Sequence, residues 1–469
     1  MTTTPVTGKP PRPTVPRRTW QVAAVVIVGA FMAQLDGALV NIGLATVAED
    51  LNASLTSTQW LVSGYLLALV AGLPLCGWAA RRFGAGRLWI GALTAFTLAS
   101  VLCAVAGDIR SLIALRVLQG IAGGLLLPVG QTLIAQAAGR DLMGRVMSTA
   151  GAALVLAPAL GPVVGGLLIA HLSWPWLFLI NVPVGVAGVC LGLRVLPRGE
   201  PQPVSAFDTQ GFLLVGLGLP ALTYGVSVSG GSQVLGEPRF WAPVAAGVLL
   251  LAVFAGRARR ATAPLLNLGL FGGRVFRAAA GASFLAGAIQ FGALVVWALY
   301  FQDARGYGVI ASGLAMAPFA LGAAVLPYAG RLTDRFGGGP VTLAGALLTA
   351  VAVLPMALLP DDAATAVVEL CLFGLGVANA LSVVPPSTAA YISVPPPQVP
   401  DAVTLVNIFL RLGGAVGAAL LVAVLGPGGD AGAVPGDFRT AFWWLAGLSL
   451  LAAGCATALT RAASAERGA

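Results

Sequence analysis

Two charged residues lie inside long apolar stretches of this sequence, and they are its first candidates for chemistry. Asp36 is surrounded by apolar residues, with Gln34 and Asn41 nearby. An ionised carboxylate in such a stretch costs at least about 2.5–3.5 kcal/mol on membrane-insertion scales, and an apolar surrounding disfavours its charged form. Both effects suit a group that binds and releases a proton. The alternative is an acid permanently paired to hold two helices together.

Arg116 is the predicted partner of Asp36. It lies in another apolar stretch, and Gln119 follows one helical turn later, where it can share hydrogen bonds. A guanidinium beside a carboxylate favours the ionised acid, so proton uptake at Asp36 would depend on whether the pair is intact. The alternative for Arg116 is a side chain that reaches the outer membrane interface and is solvated there.

The composition indicates that these residues belong to a membrane protein. Of 469 residues, 58% are hydrophobic and 9% are charged, against roughly 25% charged in soluble domains. Apolar stretches of about 20 residues match the length needed to cross a bilayer core. The net charge of +9 is typical of basic cytoplasmic loops, and we expect no nucleic-acid partner.

The sequence predicts neither an enzyme nor a cofactor protein. Its five Cys are dispersed in apolar stretches without metal-ligand spacing, so no metal site is expected. It has no GxxxxGKS/T loop to cradle phosphates, so we expect no ATP. Only 9% of the residues are charged, and they form no evident catalytic pattern.

The apolar stretches predict fourteen transmembrane helices. The predicted spans are 20–41, 58–79, 88–107, 111–133, 147–169, 175–194, 209–228, 240–256, 279–301, 309–328, 341–359, 364–386, 403–425 and 440–460. Alternate loops are basic, as at Arg81 and Arg82, or acidic, as at Glu49 and Asp50. Basic loops favour the cytoplasm, so both termini are predicted there. The alternation is weakest at 387–402.

An internal repeat divides the chain into two halves. Gly77–Gly84 recurs as Gly330–Gly337, an offset of 253 residues. This offset exceeds the length of one six-helix half, and the surplus fits two extra helices between the halves. The predicted domains are a tail at 1–19, a six-helix bundle at 20–196, a two-helix linker at 197–264, a second six-helix bundle at 265–462 and a tail at 463–469. Repeated halves around a central site are typical of secondary transporters.

Four segments resemble the major facilitator superfamily, specifically its fourteen-span drug:proton antiporter branch. They are Leu35–Asn41, Arg116–Gly120 with Gly123 and Gly124, Pro158–Gly166 after Gly151, and Trp174–Gly185. The resemblance implies an all-α fold of two six-helix bundles plus two linker helices. It also implies a monomer in a bacterial cytoplasmic membrane that transports by alternating access, with Asp36 and Arg116 coupling protons to transport.

The same resemblance implies a mechanical role for Gly161, Pro162 and Gly165. Proline removes a backbone hydrogen bond and bends a helix, and in exporters of the family this bend seals or flexes the cavity. The alternative is ordinary packing of small residues between helices.

The repeated loop departs from the family pattern. The family carries Asp where the first copy has Arg81, whereas the second copy keeps Asp334. Since this Asp holds a cytoplasmic gate through charge pairs in the family, the first gate lacks its acid, and Asp141 is the candidate replacement. Arg411 is a candidate to pair across the halves. The other predicted gate and motif residues are Gly77, Arg82, Gly84 and Arg335.

Polar residues in the predicted spans are the candidates for substrate contact. Gln290 and Asn379 lead, with interhelical hydrogen bonds as the alternative. The other candidates are Gln34, Asn41, Tyr65, Gln119, Trp297, Tyr300 and Asn407. A cavity with so few polar residues suits small hydrophobic molecules. The sequence therefore predicts a proton-coupled exporter of neutral or monocationic drugs. The alternatives are a dedicated exporter of one metabolite or lipid, and a non-transporting membrane scaffold or sensor.

Overall fold

A computed structural model describes residues 14–199, 202, 206–228, 238–359, 364–425 and 435–468. In these ranges the regular secondary structure is helical, with no strand. The first half contains α1 (Arg17–Asp50), α2 (Leu55–Gly72), α3 (Leu75–Phe83), α4 (Ala85–Ala104), α5 (Ile109–His171), α6 (Trp176–Leu179) and α7 (Asn181–Val195). The helices between the halves are α8 (Thr209–Val228) and α9 (Pro238–Ala258).

The second half of the described residues contains eight further helices. Its helices are α10 (Arg274–Leu299), α11 (Val309–Ala315), α12 (Ala317–Ala323), α13 (Leu326–Phe336), α14 (Gly338–Leu358), α15 (Thr365–Ile392), α16 (Val399–Leu425) and α17 (Pro435–Gly468). A π-helical turn at Tyr300–Ala304 ends α10. The predicted tail at 463–469 is helical as far as Gly468, because its alanines favour a continued helix. Of the predicted tail at 1–19, residues 1–13 lie outside the described ranges, and α1 already begins at Arg17.

Helix α5 covers two of the predicted spans. Its 63 residues would extend about 95 Å if straight, roughly three times a bilayer core. The backbone breaks at Gly139, with φ 66° and ψ −177°, a conformation that glycine adopts without a Cβ clash. The break falls between the predicted spans 111–133 and 147–169.

The predicted number of membrane spans exceeds the number of apolar helices in the described ranges. The described ranges contain eleven helices long and apolar enough to cross a membrane, or up to twelve if α2 and α3, bent by 57°, form one span. Part of the difference from fourteen is α5, whose long apolar segment counts once. The fourteen-span count and the domain boundaries therefore stay predictions.

The two helices between the halves form a pair that contacts both of them. Helices α8 and α9 pack on each other, and α8 also contacts α2 and α16. Asp208 joins the ends of the pair: it accepts hydrogen bonds from Arg257 Nη1 at 2.9 Å and from the backbone N–H of Leu265 at 3.1 Å.

The sequence repeat is also a structural repeat. Gly84 ends α3 with φ 85°, and Gly337 ends α13 with φ 87°. Only glycine adopts this region readily, so the last residue of each repeat makes the same turn into the next helix. The two halves thus share a local geometry that their eight-residue repeat predicts.

The buried core joins the halves on one side of the molecule only. A large cluster, here the joint core, contains residues of both halves, such as Leu69, Met143 and Val403. Val15 and Ala463 pack against it, so it lies at the face that bears both described ends of the chain, here the termini face. Toward the opposite face, one cluster belongs to the first half and another to the second. The halves are therefore closed together at the termini face.

Candidate functional site

Asp36 and Arg116 form a fully buried ion pair in the first half. Nη1 of Arg116 donates to Oδ2 of Asp36 at 2.6 Å, and each side chain is 0% exposed. Asp36 comes from α1 and Arg116 from α5, two helices in extensive contact. The predicted partners are thus together, and the role of the pair in proton coupling stays a proposal.

Two amides complete the hydrogen bonding of the Asp36 carboxylate. Asn181 Nδ2 donates to Oδ1 at 2.6 Å, and Gln119 Nε2 donates to the same oxygen at 3.2 Å. Gln119 Nε2 also donates to Ser100 Oγ at 2.7 Å. The Asp36 carboxylate of α1 is therefore held by donors from α5 and α7, and Ser100 of α4 in turn holds Gln119.

Arg116 is held from three further directions. Its Nε donates to the carbonyl of Leu61 at 3.0 Å, and Nη1 donates to Oε1 of Gln119 at 2.7 Å. The guanidinium carbon lies 4.1 Å from the centre of the Tyr65 ring, which is cation–π distance. The buried Nη2 has no hydrogen-bond partner among the described residues. Arg116 thus retains one donor that a change of conformation can use.

Asn181 and Ser100 are functional candidates that the sequence analysis missed. Asn181 lies in the segment Trp174–Gly185 that carries the family resemblance, and an amide in that apolar segment was the available signal. The sequence contains no such signal for Ser100. Its hydroxyl donates to the Phe96 carbonyl of its own helix at 3.0 Å, as helical serines commonly do, so a serine there needs no other partner.

The candidate substrate residues fall into separate places. Tyr65 and Gln119 both contact Arg116, the partner of Asp36. Trp297 and Tyr300 lie instead in the second-half cluster toward the face opposite the termini, where they are 0% and 1% exposed. Gln34 is partly exposed. Asn41 is exposed and reaches only the Gly37 carbonyl of its own helix, at 3.5 Å.

The two leading candidates, Gln290 and Asn379, do lie together. They line a cavity of about 20 Å³ in the second half, with Thr349 and Ser382, large enough for about one water. Asn407 has a different position: its Nδ2 donates across the halves to Gln131 Oε1 at 2.7 Å. Tyr391 donates to the same oxygen at 3.3 Å. These contacts close the space between the halves toward the termini face.

Two ion pairs join the halves at the termini face, one at each copy of the repeat: the first copy supplies the arginine of its pair, and the second copy supplies the aspartate. Arg81 of α3 pairs with Asp401 of α16, whereas Asp334 of α13 lies 4.0 Å from Nε of Arg145 in α5. Asp334 also accepts the backbone N–H of Arg145 at 3.1 Å. The anion facing Arg81 is therefore Asp401. The candidate Asp141 is wrong because Asp401 reaches Arg81 from the other half.

The repeated glycines allow the close approach behind these pairs. A Cβ on Gly77 would contact Asp401, and one on Gly330 would meet the carbonyl of Gly144. Arg82 and Arg335, next to the pairs, are exposed. Both copies of the repeat thus bring a helix of one half against a helix of the other.

The glycines of the antiporter-like segment pack against α1. A Cβ on Gly161 would contact Ala38, and one on Gly165 would lie 3.3 Å from Ile42. The side chain of Pro162 lies outside the described residues, so the bend predicted at Gly161 and Pro162 stays a prediction. This contact is the packing that the alternative interpretation expects.

Comparison with known sequences decides the family. Residues 26–418 match the profile described as Major Facilitator Superfamily. The chain belongs to the major facilitator superfamily. It is similar to the multidrug resistance protein B homolog of Mycobacterium tuberculosis (34% identical over 411 residues, 86% of this chain and 76% of that one). It is also similar to the putative multidrug resistance protein MdtD of Pectobacterium atrosepticum (31% over 414 residues, 87% of each).

Solved structures show the same major facilitator fold. The proton:xylose symporter XylE matches with a TM-score of 0.61 at 16% identity, over 93% of this chain and 94% of that one. The human organic anion transporter MFSD10 matches with a TM-score of 0.62 at 16% identity, over 94% and 100%. At this identity the likeness concerns the fold alone.

These matches confirm the predicted family and the predicted all-helical fold class. They also confirm that this major facilitator is a multi-pass membrane transporter and not an enzyme. Its relatives are named for multidrug resistance, which supports a multidrug transporter.

Proposed function

We propose that the protein is a proton-coupled antiporter that exports small hydrophobic compounds by alternating access. The observation that carries the proposal is the Asp36 carboxylate, which has 0% exposure and is held by Arg116 at 2.6 Å. A buried acid at membrane depth is a costly feature that commonly marks a proton pathway. Its affinity for a proton depends on donors from other helices, so movement of those helices changes it.

The network suggests how protonation and conformation are linked. While Arg116 and Asn181 donate to Asp36, the carboxylate is stabilised as an anion. When helix movement after substrate release draws Arg116 away, Asp36 is left in an apolar surrounding and takes up a proton. Gln119 can accept the new O–H through its Oε1, which otherwise accepts from Arg116. Return of Arg116 then expels the proton.

The closed termini face indicates which state of the transport cycle this conformation represents. We propose that the termini face is cytoplasmic, in a bacterial cytoplasmic membrane, and that the two inter-half ion pairs hold it shut. The conformation is then outward-facing. In this state substrate leaves to the outside and a proton enters toward Asp36. Both pairs must open before substrate enters from the cytoplasm.

Energetics limit the net charge of the exported compound. One charge crossing 100 mV is worth about 2.3 kcal/mol, which sustains a gradient of roughly 50-fold. With one buried carboxylate we expect about one proton per cycle. Export of a dication would then move positive charge outward against the potential, whereas neutral and monocationic compounds avoid this cost.

Proteoliposomes with an imposed pH gradient test the proposal. We expect substrate efflux across a panel of dyes and antibiotics to follow the gradient and to lose that dependence in Asp36→Asn. Asp108→Asn is the matched control, since Asp108 caps α5 at an exposed loop and Asn caps helices as well as Asp. Flux that ignores the gradient in the unmodified protein would refute proton coupling.

The panel also separates the alternatives. A dedicated exporter of one metabolite or lipid moves one chemotype only. A scaffold or sensor moves none, and Asp36→Asn leaves it unchanged. Export of several unrelated compounds supports the multidrug role, which the names of the relatives favour. We further propose that the monomer is the transporting unit, in which case flux per protein is the same at one copy per vesicle.

A further inference from the structure

We propose that Arg411 binds the anionic group of amphipathic organic anions between the two halves, and that such anions are among the exported compounds. The inference rests on the proposed function, because it names a substrate class for the same transport pathway. It starts from Arg411, which the sequence analysis made a candidate to pair across the halves and which belongs to no ion pair of the described residues.

Arg411 lies in the predicted span 403–425, on the side of α16 that faces the first half. It follows Asp401 of the termini-face ion pair by ten residues, or about 15 Å of helix. Asn407, one turn earlier, contacts Gln131 of the first half at 2.7 Å. Residues four apart share a helix face, so Arg411 projects into the space just beyond that contact. Tyr65 of the first half lies within electrostatic range of the guanidinium, so Arg411 is on the side of Asp36 and Arg116.

The charge of Arg411 is not balanced by the protein. Among the described residues it forms no ion pair and no hydrogen bond, and its guanidinium carbon lies 5.8 Å from the centre of the Phe291 ring. Asp36 does not compensate it, because that acid is already paired with Arg116 at 2.6 Å. Arg411 is therefore a cation that no acid of the described residues pairs with. Arg411 is partly exposed.

The chemistry around Arg411 fits an anion with an apolar body. A guanidinium offers a planar fork of donors that matches carboxylate and sulfonate oxygens. Phe291 beside it offers an aromatic surface for a hydrocarbon or aryl group. A monocation in the same place would meet like charge. The site therefore favours neutral and anionic compounds over cations.

Export of an anion is also favoured by the membrane potential. One proton entering while one anion leaves moves two positive charges inward, against one for a neutral compound and none for a monocation. A potential that is negative inside therefore assists anion export most. The charge argument from the sequence limits only how positively charged a substrate can be. The Arg411 proposal concerns negatively charged substrates.

A pair of fluorescent probes tests the proposal. 1-Anilinonaphthalene-8-sulfonate and N-phenyl-1-naphthylamine share a skeleton and differ by the sulfonate. In nanodiscs, we expect Arg411→Gln to weaken binding of the sulfonate by about 10- to 150-fold, the range of a charge-assisted hydrogen bond, with binding of the neutral probe unchanged. Arg411→Lys should retain much of the sulfonate affinity. Arg82→Gln, an exposed arginine at the termini face, is the matched control.

Three outcomes would overturn the proposal: no saturable sulfonate binding above empty nanodiscs, equal loss of both probes in Arg411→Gln, or no loss of either. Equal loss would mean that Arg411 maintains the fold. The test stands apart from the proposed function, because probe binding needs no transport. If flux of the neutral probe ignores the pH gradient, proton coupling fails while the affinity ratio still decides the role of Arg411.

Discussion

Reversing the charge of Arg81 tests whether the inter-half ion pairs hold the termini face closed. Arg81→Asp places a carboxylate against Asp401, so an attraction between the halves becomes a repulsion. The family pattern alone would make this change look restorative, since Asp is its usual residue there. The geometry predicts the opposite, because the partner from the second half is itself an acid.

The size of the effect follows from the burial of the pair. The Arg81 and Asp401 side chains are 18% and 6% exposed, so the pair is not a solvated surface contact worth about 0–1 kcal/mol. A hydrogen bond between charged groups is worth about 1.5–3 kcal/mol. At 1.4 kcal/mol per tenfold change, its loss shifts the ratio of closed to open termini face by roughly 10- to 150-fold. Repulsion in Arg81→Asp increases this shift.

Electron paramagnetic resonance distances between spin labels at positions 82 and 335 report the equilibrium. Arg82 and Arg335 are exposed and equivalent in the repeat, so labels there span the two halves. Cys190 is exposed and is first replaced by Ser, while Cys76 and Cys103 are buried. We expect a longer-distance population to appear or grow in Arg81→Asp.

Two further variants complete this experiment. Arg81→Asp with Asp401→Arg restores opposite charges and should recover the short distance, at least in part. Arg87→Asp is the matched control, because Arg87 is exposed and belongs to no ion pair of the described residues. An unchanged distance distribution in Arg81→Asp, or the same change in Arg87→Asp, would refute the gating role.

Other contacts give predictions of the same kind. Asn181→Leu removes the 2.6 Å hydrogen bond to Asp36 and should slow proton-driven efflux about 10-fold or more, measured in proteoliposomes; unaltered efflux would count against the network. Gly330→Leu inserts a side chain where Gly144 approaches and should lengthen the spin-label distance even with both ion pairs intact, whereas an unchanged distance would show that the approach is not tight. Burial opposes ionisation of Asp208, but hydrogen bonds from Arg257 and two backbone N–H groups hold its pKa below the usual value. Its stabilisation is therefore present above about pH 4 and is lost as pH falls through the lowered pKa. Asp208→Asn should destabilise the α8–α9 pair by about 1–3 kcal/mol at pH 7, and the difference in melting temperature should shrink toward pH 3; a constant difference would contradict the pairing.

The ion pair at Asp36 could be predicted because membrane-buried charges need partners. A carboxylate in an apolar stretch is costly unless an opposite charge meets it, and few charged residues lie at that depth. The turn at Gly84 and Gly337 was equally accessible, since the repeat keeps glycine where φ is positive. Both inferences depend on local sequence together with a strong energetic constraint.

The remaining contacts could not be predicted because nothing local specifies them. Arg81 and Asp401 are 320 residues apart. The family pattern indicated that an acid was missing at position 81, but not that an acid of the second half would face Arg81. Ser100 already satisfies its hydroxyl within its own helix, so its contact with Gln119 left no mark in the sequence. The break at Gly139 was hidden because glycines are abundant throughout the chain.

Proton release on substrate binding tests the central claim most directly. Purified protein in a weakly buffered solution with a pH indicator is mixed with a neutral substrate that the transport panel has identified. The account predicts that binding exchanges up to about one proton per protein at a pH where Asp36 is partly protonated, and that Asp36→Asn binds the substrate without exchanging it. Exchange of the same size in Asp36→Asn, or none at any pH in the unmodified protein, would contradict the assignment of Asp36 as the coupling acid.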